Sequence, residues 1–153
     1  MTTVPGVPAG LAPDRGWAAE PSGHGGTTAG FHLRRDGVTV DVRLERCAAG
    51  RLRDAYPAGA RDLEVRVGAG CPDGLLPALL RSLTAAVLAA DPHCRRVVLA
   101  VPVGDRGGLT AAESAGYRYA VDVDLGTDEL ALLVAEPDWV TVTDIDLDRV
   151  PGA

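Results

Sequence analysis

Hydrophobic and polar residues alternate along several stretches of the chain, and alternation of period two predicts β-strands with one buried and one exposed face. The clearest case is a hairpin in which the turn signal Asp36-Gly37 joins residues 31–33 to the alternating run 38–45. Residues 62–67 alternate in the same way and predict a third strand. Residues 16–20 are a candidate for a short edge strand before the hairpin.

One long stretch of the chain, residues 76–87, has apolar residues at helical spacing. Four leucines and Val87 form one apolar stripe between residues 76 and 87, which predicts a helix that ends near Asp91-Pro92. Residues 21–30 and 68–74 are interpreted as a loop and a turn because they are rich in glycine. The other predicted elements are a strand buried on both faces at 97–101, a short helix at 109–115, and strands at 117–125 and 130–135.

The predicted order of elements is βββ-α-β-α-ββ, which places the protein in the α/β (α+β) class. A strand–helix–strand crossover joins parallel strands, whereas the hairpins on either side of it are antiparallel, so the sheet must be mixed. We expect a flexible segment at 1–15 and a single domain at 16–150. Residues 139–150 alternate loosely and are expected to form an edge strand or to dock on a partner.

Composition narrows the possible functions. The formal net charge is −6 and aromatic residues make up 4% of the 153 residues, which argues against nucleic acid and anionic membranes as partners. All 15 basic residues are arginine, and lysine, asparagine and glutamine are absent, so a Schiff-base lysine is excluded. Three cysteines without a CxxC pair argue against a disulfide framework or a metal site. Without a signal-peptide pattern, a cytoplasmic location is expected.

One segment carries a resemblance to a known family. It is the run Asp105-Arg106-Gly107-Gly108-Leu109-Thr110-Ala111-Ala112-Glu113-Ser114-Ala115-Gly116-Tyr117. This run resembles the short fourth helix of the Gcn5-related N-acetyltransferases, in which an Asn opens the segment and a Tyr-Glu-Lys-x-Gly-Phe-like run closes it. The order of elements over residues 62–136 resembles the same family. The resemblance implies a mixed-sheet fold that transfers an acyl group from acetyl-CoA or another acyl-CoA to an amine.

The resemblance also implies positions for the cofactor. The pyrophosphate loop is placed at residues 71–76, and the backbone amides near the end of the third strand would polarise the thioester carbonyl. The implied cofactor-binding residues are Val67, Gly68, Cys71, Gly74, Leu75 and Asp105. Of the family's loop pattern only Gly74 is retained. Leu76 adds bulk, Pro77 removes one amide donor, and Asp73 adds a negative charge next to a site for an anion.

The implied catalytic residues are Glu64, as a general base on the third strand, and Tyr117. The family's proton-donating tyrosine is replaced here by Ala112, and the alternation around Arg118 predicts that Tyr117 and Tyr119 face the core. Three other groups remain as alternatives. His24 and His32 are possible bases, because imidazole as a side-chain type titrates near neutrality. His32 is expected opposite Val40 and Val42. Cys71 heads the long helix, whose N-terminus would lower the pKa of the thiol.

Two functions are compatible with these observations. The first is an acyl-CoA-dependent N-acyltransferase that acts on an amine of a small metabolite. The family's two helices between the first strands are missing, so its acceptor is large or a partner chain completes the wall of the site. The second is a non-catalytic module of the same fold, used for dimerisation or as a subunit of another enzyme. A CoA site used for O-acylation or decarboxylation is a third, weaker alternative.

Overall fold

The computed structural model describes residues 4–14 and 16–138, which form one mixed seven-stranded sheet with two helices. The elements are β1 (Ala18–His24), β2 (Thr28–Arg35), β3 (Val38–Arg46), β4 (Leu63–Val67), α1 (Leu76–Ala90), β5 (Val97–Pro102), α2 (Arg106–Ser114), β6 (Arg118–Leu125) and β7 (Asp128–Ala135). The strand order is β1-β2-β3-β4-β5-β7-β6, in which only β4 and β5 are parallel. The predicted mixed sheet is confirmed.

The N-terminal region differs from the prediction. Residues 21–30 are not a loop, because β1 continues to His24 and β2 begins at Thr28, and the element order gains a strand. β1 lies at the edge of the sheet and its register shifts between Pro21 and Gly23. An edge strand tolerates proline and glycine because one side of its backbone needs no ladder partner.

Residues 4–14 lie against the sheet. Val7 is buried, and its N–H donates to the carbonyl of Gly26 at 2.8 Å. The fully buried guanidinium of Arg46 donates to the carbonyls of Pro5 and Gly6 and to that of Arg61. Its Nη2 also lies 2.6 Å from Asp91 Oδ2, so this one side chain connects the N-terminal segment to the end of α1.

The sheet has a core on each face. α1 and α2 cover one face, and the connection at 47–61 covers part of the opposite face, called here the outer face, over Val98, Leu132 and Val134. The stretch Asp73–Ala90 is long and apolar enough to cross a membrane by length and composition alone. Its side chains Leu79, Leu80, Leu83 and Val87 are at most 1% exposed in the core, as expected for the central helix of an α/β domain. The predicted element at 139–150 lies outside the described residues.

Candidate functional site

The sheet opens between β4 and β5. These parallel strands pair only at Leu63↔Val97 and Glu64↔Val98, and a cavity of about 320 Å³ lies between them farther along. Its apolar walls come from both strands and from α1. The apolar lining residues are Val65, Val67, Leu76, Leu80, Leu99, Ala100, Val101 and Pro102. The opening can therefore hold a narrow, mostly apolar ligand between two strands of an otherwise continuous sheet.

A backbone amide of β4 faces this opening. The N–H of Gly68 donates to the carbonyl of Asp41 on β3 at 2.7 Å, and the N–H of Leu63 donates to the carbonyl of Arg96 on the β5 side at 3.0 Å. Successive residues of a strand direct their N–H groups to opposite sides. Val67 therefore directs its N–H toward β5, at a level where β4 and β5 no longer pair. Of the two amides predicted to polarise a carbonyl, Val67 is available and Gly68 is not.

The start of α1 offers few amide donors. A 3₁₀ turn at Asp73–Leu75 uses the N–H of Leu75, which donates to Pro72, and that of Leu76, which donates to Asp73. Pro77 has no N–H. The amides of Asp73 and Gly74 remain, and they donate to no backbone carbonyl among the described residues. A Cβ added to Gly74 would meet no atom within 4 Å, so this turn is open to solvent.

Asp105 lies at the end of the opening next to α2. Its carboxylate accepts from the N–H of Gly108 at 3.0 Å and caps the N-terminus of α2. Both residues line the opening, and a Cβ on Gly108 would lie 2.9 Å from the side chain of Val101. The glycine thus allows α2 to approach β5 closely. The predicted binding residues Val67 and Asp105 are brought together here.

The position of Cys71 before α1 predicts a lowered pKa for its thiol, and this prediction is wrong. Partial burial and the negative charge of Asp73 raise the pKa of the Cys71 thiol. Burial raises the pKa of Cys47 and of Cys94 to about 12. All three thiols therefore stay protonated at neutral pH, and none is suited to nucleophilic chemistry.

Glu64 lies on the outer face and is 1% exposed. Arg51 donates to it from Nη2 at 2.6 Å, and hydrogen bonding to Glu64 raises the pKa of Arg51. Arg66 donates from Nη2 to Glu64 Oε1 at 3.4 Å, and the same nitrogen forms an ion pair with Glu45. Because arginines occupy its oxygens, Glu64 is better placed to position Arg51 and Arg66 than to accept a proton. Both arginines line the β4–β5 opening.

Comparison with known proteins gives the fold. The chain matches no protein-family model and no functionally curated protein. A solved structure of an uncharacterized protein from Bacillus halodurans superposes with a TM-score of 0.67 at 14% identity, over 80% of this chain and 67% of the other. The aminoglycoside acetyltransferase AAC(6')-Ib in complex with coenzyme A gives a TM-score of 0.62 at 13% identity, over 77% of this chain and 71% of the other.

RimJ of Mycobacterium smegmatis, in complex with CoA-disulfide, gives a TM-score of 0.54 at 15% identity, over 75% of this chain and 56% of the other. The chain has the Gcn5-related N-acetyltransferase fold. The resemblance detected in residues 105–117 therefore identified the architecture correctly. At these identities the likeness shows the fold alone.

Within this acetyltransferase fold, Tyr117 packs in the hydrophobic core. Its side chain is 3% exposed, its hydroxyl lies 2.7 Å from Thr84 Oγ1, and burial raises its pKa above the usual value for tyrosine. Tyr119, also expected in the core, is 53% exposed, because β6 is an edge strand and its register shifts between Tyr119 and Val121. No tyrosine among the described residues lines the β4–β5 opening, and Ala112 is buried in the core.

A second cavity, of about 470 Å³, lies on the outer face of β1–β4 and is called here the outer pocket. It shares Arg66 and Val67 with the β4–β5 opening, so the two cavities meet at the end of β4. His32 lies opposite Asp41, not Val40 or Val42, because the hairpin register pairs Arg35 with Val38. Sequence reasoning missed this pocket because it interpreted residues 21–30, which form one wall, as a loop.

Proposed function

We propose that the protein is an acyltransferase that uses an acyl-CoA and acts on the amine of a small molecule. The observation that supports this most strongly is the β4–β5 opening, with apolar walls and with the N–H of Val67 directed into it. Several neighbours of the same fold were solved with coenzyme A or acetyl-CoA, and some of these with aminoglycosides, which are amines.

The residues around the opening fit an acyl-pantetheine arm. Val65, Leu80 and Leu99 offer apolar contacts to its methylene groups, and Val67 N–H would donate to the thioester oxygen, where negative charge develops during transfer. A bound acyl-CoA supplies an activated carbonyl. The amides of Asp73 and Gly74 would hold its diphosphate at the start of α1, with fewer donors than an unmodified helix start provides.

Calorimetric titration with two ligands tests this proposal. S-acetylpantetheine carries the thioester arm without the diphosphate, whereas acetyl-CoA carries both. We expect both to bind, with a modest gain for acetyl-CoA because the start of α1 offers few donors. If neither ligand gives heat or a thermal shift at millimolar concentration, the acyltransferase proposal is wrong.

Replacing Asp73 by asparagine is expected to strengthen binding of acetyl-CoA by about two- to fivefold, since the change removes a negative charge worth roughly 0.3–1 kcal/mol beside the diphosphate. Affinity for S-acetylpantetheine is expected to stay unchanged, because it has no phosphate. Asp54→Asn, at a side chain that is 91% exposed and ion-paired with Arg53, is the matched control. Equal effects of Asp73→Asn on both ligands would show that the diphosphate lies elsewhere.

One observation favours a second function, a non-catalytic module used for assembly. β6 is an edge strand that carries Tyr119 and Val121, which are 53% and 41% exposed. Edge strands with exposed apolar residues can pair with another chain. Sedimentation equilibrium tests this alternative, which requires a stable oligomer or a bound partner. A monomer that consumes acyl-CoA would exclude it.

A further inference from the structure

The outer pocket is lined by two arginines on neighbouring strands. Arg43 on β3 pairs in register with Arg66 on β4, so both side chains stand on the outer face, and both line the pocket. Like charges directly opposite each other in a sheet are destabilising. Glu45 and Glu64 compensate Arg66, whereas the side chain of Arg43 has no ion pair or hydrogen bond among residues 4–14 and 16–138. Arg43 is therefore able to receive an anionic group from a ligand.

A glycine makes room beside Arg43. Gly30 lies directly opposite Arg43 on β2. A Cβ on Gly30 would lie 2.6 Å from Ser22 Oγ, so the missing side chain makes room for the Ser22 hydroxyl over β2. Ser22 and Arg43 both line the outer pocket, where each can donate to an anionic group.

A histidine and an aspartate share the same pocket. His32 Nδ1 lies 2.5 Å from Asp41 Oδ1, which leaves Nε2 as the remaining ring nitrogen. With Nδ1 protonated toward the carboxylate, Nε2 carries the lone pair, which is the arrangement of an oriented base. Glu20 stands opposite His32 on β1, but its carboxylate is ion-paired with Arg34 at 3.0 Å. Asp41 is linked to the site of transfer, since its carbonyl accepts the N–H of Gly68 next to Val67.

We infer that the outer pocket is the acceptor site and that it selects a primary amine that also carries a carboxylate, such as an α-amino acid. In this arrangement Arg43 binds the carboxylate, and His32, oriented by Asp41, receives a proton from the amine. The inference rests on the proposed acyl transfer, because it assigns the acceptor of that reaction. Polycationic acceptors are disfavoured, since the Arg43 guanidinium would repel them.

The atoms of the step balance. The ammonium first gives one proton to His32 Nε2, and its nitrogen then forms a bond to the acyl carbon while the carbon–sulfur bond breaks. The second nitrogen proton ends on the departing sulfur through solvent. The products are an amide and a free thiol, and His32 returns its proton to solvent.

Calorimetry on the protein without added thioester tests the inference through pairs of ligands that differ only in the carboxylate. The pairs are alanine with ethylamine, leucine with 3-methylbutylamine, and phenylalanine with phenethylamine. We expect at least one amino acid to bind about tenfold more tightly than its amine, as one charge-assisted contact would give. Arg43→Gln is expected to remove this difference by weakening the amino acid alone, and Arg53→Gln, at an exposed arginine outside the pocket, to leave it unchanged.

Turnover separates the role of His32 from that of Arg43. His32→Asn keeps a donor to Asp41 but has no base, so we expect kcat to fall about 10²-fold or more with little change in KM. Arg43→Gln is expected to raise KM for the amino acid and to leave acetyl-CoA affinity unchanged. If acetyl-CoA binds but no amino acid in the panel does, or Arg43→Gln changes neither ligand, the acceptor assignment is wrong and the acyltransferase proposal stands. If acetyl-CoA itself does not bind, both are wrong.

Discussion

Replacing Val67 by proline is expected to reduce acyl transfer from acetyl-CoA by about 10²–10³-fold in kcat, the loss typical of removing one donor to a developing oxyanion. Proline removes only the N–H that faces the β4–β5 opening, because Val67 pairs with Val42 at a position where β3 receives no hydrogen bond from it. Release of free thiol, followed with a disulfide indicator, measures the rate.

Val67→Ala is the matched control, since it shortens the side chain and keeps the amide. We expect this variant to retain activity within a few-fold of the original protein. Circular dichroism melting checks that the proline variant is folded, and titration with acetyl-CoA checks that it still binds. Equal activity of Val67→Pro and Val67→Ala would contradict the role assigned to this amide.

Replacing Arg46 by methionine is expected to lower the free energy of unfolding by about 3–5 kcal/mol, the usual consequence of breaking a buried ion pair on one side only. The change leaves Asp91 without its partner at 2.6 Å and leaves the carbonyls of Pro5, Gly6 and Arg61 without their donors. Methionine keeps much of the volume of the side chain, so a cavity contributes little. Urea denaturation followed by tryptophan fluorescence measures the loss.

Two comparisons make the Arg46 result interpretable. Arg53→Met, at a side chain that is 62% exposed, is expected to change stability by no more than about 0.5 kcal/mol. Adding Asp91→Asn to Arg46→Met is expected to recover part of the loss, because the unpaired buried charge is removed. A loss below about 1 kcal/mol for Arg46→Met would show that the N-terminal segment is not held by this guanidinium.

Much of the fold could be predicted because local signals agreed with the final pairing. The turn Asp36-Gly37, where both residues have positive φ, set the register of β2 and β3, and the leucine stripe of α1 matched its buried face. β1 could not be predicted in full. Its Pro21 and Gly23 are typical of loops, and they are accepted only because β2 pairs with them at the sheet edge.

The site was less accessible to sequence reasoning, for specific reasons. Arg46 shares the inward parity of Val40, Val42 and Leu44, and a charged residue at such a position is a signal that could have predicted its buried ion pair. Glu64 has its side chain on the opposite face of its strand from Leu63 and Val65, and the resemblance implies a general base at this position. Its burial depends on Arg51, which belongs to a connection without a regular pattern.

The resemblance implies amides at Val67 and Gly68, but which of the two is available could not be predicted from sequence, because the direction of an N–H depends on which strand pairs on each side. The substitutions in the loop before α1 had a consequence that sequence reasoning anticipated. Pro77 removes one donor as expected, and the 3₁₀ turn removes those of Leu75 and Leu76 as well. In the proposed acyl-CoA site, the thioester arm therefore has more contacts available to it than the diphosphate has.

The backbone amide spectrum of the ¹⁵N-labelled protein, recorded during titration with acetyl-CoA, tests the central claim most directly. If the β4–β5 opening holds the thioester, the Val67 amide proton moves downfield and saturates together with the resonances of Leu99 and Val101 across the opening. If acetyl-CoA leaves Val67 and the β5 resonances unchanged at millimolar concentration, the opening is not a thioester site, whatever shifts occur elsewhere.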